Sequence, residues 1–362
     1  MSCRRGWVIA VLLLLSAGAR VGLAEPYLAV QQGYRCAQCH VNPTGGGLRN
    51  DFGLIFAKNL LPAVLYPQWA PNWTGQVWSF LRLGSDLRTG WSSTGLPNQP
   101  SQRLSGIEQF RVYADLQLLP DRLAVYVDEQ YDPGKPQNLE AYARAGNASY
   151  GWYLKGGRFY LPFGWRLQDN TSFVREITGI SMTTPDEGFE LGFERSNWSA
   201  QLDVTKGAGN SQARLGDMIT SQLVWVQSRW RVGAAASFTR SEFGDRHLLG
   251  LFAGARTGPV AWLGEADLVR DSGYPQGTRS LVPLLGELDW AIHRGQNLKL
   301  TAELFDPDLN VAHNEQTRWS LVYELTPIPF LQLRAGWRRY LGIPQSDFQN
   351  RHLLFLELHA FL

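Results

Sequence analysis

Two thiols and an imidazole stand close together near the start of this 362-residue chain, in the stretch Cys36-Ala37-Gln38-Cys39-His40. Two cysteines separated by two residues can form thioethers with the two vinyl groups of a haem, and the adjacent histidine then reaches the iron as its proximal ligand. A redox-active disulfide, or half of a zinc site, would use the same two thiols. The histidine at this spacing favours covalent attachment, with one haem c as the cofactor.

The third cysteine, Cys3, lies in a segment with the features of an export signal. A pair of arginines precedes an apolar run, and small residues follow up to Ala24. We expect residues 1–24 to be removed after general secretion, although Ala17-Gly18-Ala19 offers an earlier cleavage site. The mature chain then keeps only the two cysteines of the haem motif.

The composition beyond the signal favours membrane-crossing strands over membrane-crossing helices. No window holds about 18 consecutive apolar residues. Aromatic residues make up 12% of the chain, charged residues 18%, and 14 residues are tryptophan. A formal charge of +2 suggests neither nucleic acid nor a strongly acidic partner. An aromatic-rich, amphipathic chain of this kind is typical of strands that contact outer-membrane lipid.

Period-two alternation recurs along residues 73–362 and predicts amphipathic strands. It is clearest in four segments, 110–118, 198–205, 298–304 and 319–325. Many segments reach the nine or so residues that a bilayer requires, whereas sandwich strands average about five or six. The end of the chain reads as a closing strand, with an alternate apolar row of Leu354, Leu356, Leu358, Ala360 and Leu362.

Short turns and longer connections also alternate, as they do in outer-membrane barrels. We expect short turns near 119–122, 146–148, 195–197, 227–229, 257–259, 294–297 and 326–329. We expect long connections at 85–105, 161–186, 208–215, 271–279, 307–316 and 341–350. The predicted fold class is therefore all-β, an outer-membrane antiparallel β-barrel of about 16 strands.

Residues 25–72 are predicted to form a second domain, a small c-type haem segment that acts as a mono-haem plug or cap before the barrel. Fewer than about 50 residues cannot bury a self-sufficient core, so this segment needs the haem and the barrel as packing partners. A short helix after the motif would pack Phe52, Ile55 and Phe56 on the porphyrin. The barrel itself is predicted over 73–362.

The chain resembles the fused outer-membrane cytochrome-porins, in which a signal peptide, one Cys-x-x-Cys-His motif and a barrel occur on one polypeptide. The resemblance rests on Gly33 to His40 and on Phe52-Gly53 downstream. It implies haem attachment at Cys36 and Cys39 and iron ligation by His40. The best-known members serve extracellular electron transfer, for example iron oxidation. Those iron-oxidising members tend to have a more apolar stretch where this chain has Asn42-Pro43-Thr44-Gly45-Gly46-Gly47.

A distal histidine or methionine ligand to the iron must come from the barrel, because residues 25–72 contain neither type except His40. Five candidates belong to the predicted long-loop side and so lie far from a haem at the short-turn side: Met182, Met218, His247, His313 and His352. His293 at a short turn and His359 in the last strand are closer. An empty or water-filled sixth position stays open.

Three functions fit this sequence. The first is an outer-membrane electron conduit, which passes electrons through one haem c between an extracellular donor or acceptor and periplasmic c-type cytochromes. The second is a solute porin whose haem segment serves as a plug or redox-sensitive gate. The third is a haem enzyme, although no paired-carboxylate or Ser-His-Asp constellation is visible. We expect the conduit, in the bacterial outer membrane, with the haem segment in the periplasm or the barrel lumen.

Overall fold

The computed structural model describes residues 25–65, 73–132, 134–147, 151–207 and 214–362. The expected signal peptide and its cleavage sites lie outside these residues. The described strands are β1 (Gln76–Trp78), β2 (Leu81–Gly95), β3 (Gln102–Leu119), β4 (Leu123–Asp132), β5 (Gln137–Asn147), β6 (Trp152–Phe159), β7 (Asp186–Glu194), β8 (Trp198–Thr205), β9 (Met218–Val226), β10 (Trp230–Ser241), β11 (Gly244–Thr257), β12 (Val260–Asp271), β13 (Arg279–His293), β14 (Gln296–Asp306), β15 (Gln316–Ile328), β16 (Leu331–Leu341) and β17 (His352–Phe361).

Sixteen of these strands, β2 to β17, form a closed antiparallel barrel in which each strand pairs with the next. The ring closes because β17 pairs with β2, from His352 opposite Gly95 to Phe361 opposite Asp86. The three-residue β1 pairs with β2. Closure leaves the barrel strands without free edges, as a lipid environment requires. The prediction of an all-β, outer-membrane type of barrel with about 16 strands is confirmed.

The side chains of the strands alternate between an exposed apolar face and a buried polar face. In β17, Leu354 and Leu356 are exposed, whereas His359 is buried. The buried face of the whole barrel is rich in charge and includes Arg111, Asp115, Asp128, Lys155, Glu190, Glu265, Asp289 and Arg318. An apolar exterior around a polar lumen is the arrangement of a barrel that stands in lipid.

The predicted short turns that lie wholly within the described residues are present, but one predicted long connection is wrong. The predicted turn near 146–148 and the predicted connection 208–215 extend outside the described residues. Most of 85–105 is strand, because β2 extends to Gly95 and β3 begins at Gln102. Small polar residues weaken the apolar alternation there, yet β2 and β3 keep their backbone groups paired up to Thr94 opposite Gln102. The longest described connection joins β6 to β7 over residues 160–185.

Four short helices accompany the barrel: α1 (Pro26–Gln32), α2 (Cys36–Cys39), α3 (Asp51–Asn59) and α4 (Phe173–Thr178). A 3₁₀ turn spans Phe348–Asn350. In the part of the chain that the structure describes, no helix is long and apolar enough to cross a bilayer. The helix predicted after the haem motif is present as α3, and Asn50 caps it by accepting a 3.0 Å hydrogen bond from Gly53 N–H.

Residues 25–65 lie inside the barrel, against its buried polar face. Contacts to three different strands hold them: Tyr27 Oη donates to Glu324 (3.1 Å), Arg35 pairs with Glu194 (2.7 Å), and Asn42 Nδ2 donates to Glu140 (2.9 Å). Ala63 N–H donates to the carbonyl of Thr326, near the end of β15 (2.8 Å). The segment therefore occupies the lumen toward the short-turn end.

The connection 160–185 folds into the same lumen from the opposite end. Its backbone N–H groups at Trp165 and Phe173 donate to Glu265 of β12 (3.0 Å) and Glu303 of β14 (2.7 Å). An apolar cluster joins it to the N-terminal segment and the strands; its members include Val41, Leu48, Tyr126, Leu161, Phe163 and Ile180. Together the two segments fill much of the lumen.

Candidate functional site

The Cys-x-x-Cys-His motif begins with the single helical turn α2. Arg35 N–H donates to Gln38 Oε1 at 2.7 Å, which caps the start of this turn, and His40 N–H donates to the Cys36 carbonyl at 3.0 Å. Cys36 and Cys39 are both free thiols and both half-buried. Because they lie one turn apart, both sulfur atoms are on one side of the helix.

His40 is held in a neutral state by its surroundings. It is 9% exposed, and its ring lies against the backbone of Gly46 and Gly47. Burial, together with the positive charge of Arg49, lowers the pKa of His40 to about 3. Burial also raises the pKa of the Cys39 thiol to about 11. A neutral imidazole is the form that binds a metal ion.

Two glycines allow close packing of the backbone around the motif. Gly53 packs directly on the Cys39 carbonyl, so that any side chain there would collide with backbone. Gly47 has a φ of +60° and lies against the hydroxyl of Tyr126 in β4. Tyr126 Oη also accepts a 3.0 Å hydrogen bond from Leu48 N–H. The residues after the motif are thereby fixed to the barrel wall.

One cavity is lined by all three residues of the predicted site. Cys36, Cys39 and His40 border a partly open cavity of about 110 Å³. Apolar walls come from three sources: Phe56 of α3, Trp165 of the inward connection, and Val224, Val226 and Phe252 of the barrel. The two thiols and the imidazole therefore share one cavity with apolar walls.

Of the three side chains predicted to pack on a porphyrin, only Phe56 lines this cavity. Phe52 and Ile55 are 44% and 38% exposed. Phe52 nevertheless meets the ring of Tyr34 edge-on at 5.3 Å between centroids, on the same face of α3 as Phe56. The packing of Phe52 and Ile55 on a porphyrin stays a prediction. Tyr34 supplies another aromatic wall and meets Phe56 edge-on at 6.1 Å between ring centroids.

The two candidate distal ligands lie away from the cavity lining. His359 is fully buried, with Nε2 2.8 Å from Asp86 Oδ2 and its ring stacked on Phe361. His293 is exposed at the end of β13. Within the residues that the structure describes, His40 is the only histidine of the lining, and no methionine belongs to it.

Met182 is closer to the motif than the sequence suggested. Its Sδ atom lies 3.3 Å from the position that a Cβ on Gly46 would take. The expectation that Met182 lies far from the motif is wrong, because the connection 160–185 turns inward instead of extending from the barrel. Met218 belongs to the apolar cluster of the lumen.

Further cavities lie on both sides of the first. One, of about 520 Å³, borders His40 and Arg35 and reaches the short-turn residues Pro120 and Arg122. Another, of about 380 Å³, lies among the long connections, near Ile180 and Tyr274. Over the described ranges, no group of three or more His, Cys, Asp or Glu side chains is arranged to hold a metal ion.

Sequence reasoning missed several residues of the cavity, among them Trp165, Arg166 and Arg231. The alternation of β10 could have indicated Arg231, because this residue lies on the inward face of the strand. No sequence pattern indicates Trp165 and Arg166, because their position depends on how the 26-residue connection 160–185 folds back into the lumen.

No protein-family profile and no curated protein matches the chain. Solved structures do match. The chain is similar in structure to an anion-selective porin from Comamonas acidovorans, with a TM-score of 0.62 and 9% sequence identity. The match covers 99% of that porin and 78% of this chain. The outer-membrane channel DcaP of Acinetobacter baumannii and Salmonella typhi OmpF in complex with daunomycin give TM-scores of 0.61 and 0.59, both at 11% identity, 97% of their own length and 78% of this chain. The chain has the porin fold.

At such identities the likeness concerns the fold alone. The porin fold accounts for the barrel and its polar lumen. Because the likeness covers 78% of this chain in each of the three comparisons, about a fifth of the chain has no counterpart in those porins. What distinguishes this chain is the cavity that its two thiols and one imidazole line within the lumen.

Proposed function

We propose that this chain is an outer-membrane electron conduit that carries one haem c on Cys36 and Cys39, with His40 as the proximal iron ligand. The observation that supports it best is the placement of all three residues on one apolar-walled cavity inside a porin-fold barrel. The donor or acceptor lies outside the cell, and periplasmic c-type cytochromes are the partners at the short-turn end. The location is the bacterial outer membrane.

The residues of the cavity fit such a group. A bound haem would supply reversible one-electron chemistry at its iron. His40 stays neutral because of burial, so it offers a lone pair rather than a proton. Trp165 and Phe252, with ring centroids 5.2 Å apart, provide an apolar wall that excludes water. The helical turn α2 holds both thiols on the side of the cavity.

The fold also shortens the distance that electrons have to cross. The apolar band of an outer-membrane barrel is about 25 Å tall, so a haem bound outside the barrel would leave most of it uncrossed. Residues 25–65 bring the motif into the lumen instead. The connection 160–185 enters the lumen from the long-loop end. Its Ile180 borders the cavity near Tyr274, and its Trp165 lines the cavity of the motif.

A solute porin is the second candidate, and the comparisons favour it over the conduit. The neighbours described above are porins or outer-membrane channels, and the first is anion-selective. The cavities toward both ends of the lumen, near Arg122 and near Arg246, would serve as vestibules. In that case residues 25–65 act as a plug, and the haem as a structural element or a redox-sensitive gate.

Liposomes that enclose a redox dye separate the two candidates. With the haem-loaded protein in the membrane, a membrane-impermeant reductant added outside should reduce the trapped dye. The Cys36→Ala/Cys39→Ala variant, which keeps the barrel but cannot hold the haem, should be much slower at equal protein density. Swelling of the same liposomes in small solutes measures porin activity. Rapid swelling with no haem-dependent dye reduction would overturn the conduit and support the porin.

A further inference from the structure

Two arginines lie beside Cys36 at the wall of the cavity. Arg231 of β10 is 4% exposed, and its guanidinium lies against the Cys36 thiol and 5.6 Å above the ring of Trp165. Arg166, in the inward connection, also lines the cavity and has Cys36 among its electrostatic neighbours. Both positive charges therefore face the place where the motif would hold a haem.

The hydrogen-bond acceptors of these two arginines are neutral. Arg166 Nη2 donates to Thr44 Oγ1 at 3.0 Å, and Arg231 Nη2 donates to the Tyr34 carbonyl. Arg231 Nε is buried and has no partner. Within the described residues, no carboxylate forms an ion pair with either guanidinium within 4.0 Å, although Glu140 and Glu190 are among the electrostatic neighbours of Arg166.

Other charges of the cavity wall are balanced. Arg35 pairs with Glu194 at 2.7 Å, and Glu25 pairs with Lys299 at 3.0 Å. Arg49 lies over the ring of Phe361, 4.7 Å from its centroid, and has Asp86 as its first charged neighbour. The cavity wall therefore keeps an excess of positive charge, to which Arg231 contributes most plainly. Burying such a charge without a paired carboxylate is costly, which points to a role for it in the site.

We propose that Arg166 and Arg231 raise the reduction potential of the haem, an inference that rests on the proposed function. One electron from an external donor lowers the charge of the haem iron from +3 to +2, and a nearby fixed positive charge favours the form with the lower positive charge. A guanidinium stays protonated, so no proton needs to accompany the electron. The haem is thereby set to accept electrons.

The test measures the midpoint potential of the purified, haem-loaded protein. Arg231→Gln removes the charge but keeps an N–H donor for the Tyr34 carbonyl. It should lower the potential, by an amount on the order of a tenfold shift between oxidised and reduced haem. Arg231→Lys, which keeps the charge, should restore the potential. Arg166→Gln should act in the same direction, and it provides the test if Arg231→Gln does not fold.

Arg256→Gln is the matched control. Arg256 lies in β11, donates to the Gln31 carbonyl at 2.7 Å and does not line the cavity, so its loss should leave the potential unchanged. Unchanged or raised potentials in both Arg231→Gln and Arg166→Gln would overturn the inference while leaving the haem in place. Absence of haem from the wild-type protein would instead overturn the proposed function.

Discussion

Arg318 of β15 lies 2.9 Å from Asp169 of the inward connection, through Nη2 and Oδ2. Its guanidinium is 1% exposed and also pairs with Glu303 of β14. Arg338 of β16 reaches the same Asp169 carboxylate at 2.8 Å. The connection 160–185 is thus fixed to three neighbouring strands, and the lumen stays filled because of these ion pairs.

We predict that Arg318→Leu loosens this connection. Removal of one partner from a buried ion pair leaves the other charge uncompensated, which costs about 3–5 kcal/mol. Ion conductance of single barrels in planar bilayers should therefore rise, and thermal stability should fall. Arg279→Leu is the control. Arg279 and Asp308 form a long ion pair of 3.9 Å that is partly exposed to solvent, so its loss should cost little. Equal conductance in wild type and Arg318→Leu would contradict the fixed connection.

The same ion pairs predict a dependence on pH. Burial alone would raise the pKa of Asp169, but Arg318 and Arg338 outweigh it and hold the pKa below its usual range. A lowered pKa means that the carboxylate stabilises the docked connection fully above about pH 4, and that this contribution is lost as the pH falls further. Conductance should rise below about pH 4. In Asp169→Asn it should already be raised at pH 7, with a weaker response to acid.

Much of the barrel could be predicted from sequence because apolar residues facing lipid and polar residues facing the lumen must alternate along each strand. Rows such as Leu354 and Leu356 reveal the outer face directly. The inward position of 160–185 could not be predicted, since it depends on contacts such as that of Arg318 with Asp169, which are 149 residues apart in the chain. For the same reason the sequence missed Trp165 and Arg166, which lie in that connection, whereas haem binding at Cys36, Cys39 and His40 stays a prediction.

The sixth coordination position of the haem should be open to external ligands. Only His40 among the described histidines and methionines lines the cavity, so imidazole or carbon monoxide should bind the haem and shift its absorption spectrum. His359→Ala should leave the spectrum unchanged, although it should destabilise the barrel by leaving Asp86 without its 2.8 Å partner. A spectrum altered by His359→Ala, together with no response to imidazole, would instead identify His359 as the distal ligand.

Labels on intact cells test the orientation of the barrel. A tag inserted beside Val311, which is exposed between β14 and β15, should be accessible to an impermeant reagent. A tag at the turn containing Gly295, which packs on Ala63 of the N-terminal segment, should be protected. The reverse result would place the motif at the extracellular end and would exclude periplasmic cytochromes as direct partners.

The intact mass of the purified protein tests most directly whether a haem is attached in the lumen. After expression with haem-attachment machinery, the wild-type chain should have the mass of residues 25–362 plus one haem, and it should stain for haem after denaturation. Cys36→Ala/Cys39→Ala should lose both the added mass and the stain while still forming a folded barrel. A wild-type mass without haem, under conditions in which a control c-type cytochrome is matured, would contradict the conduit.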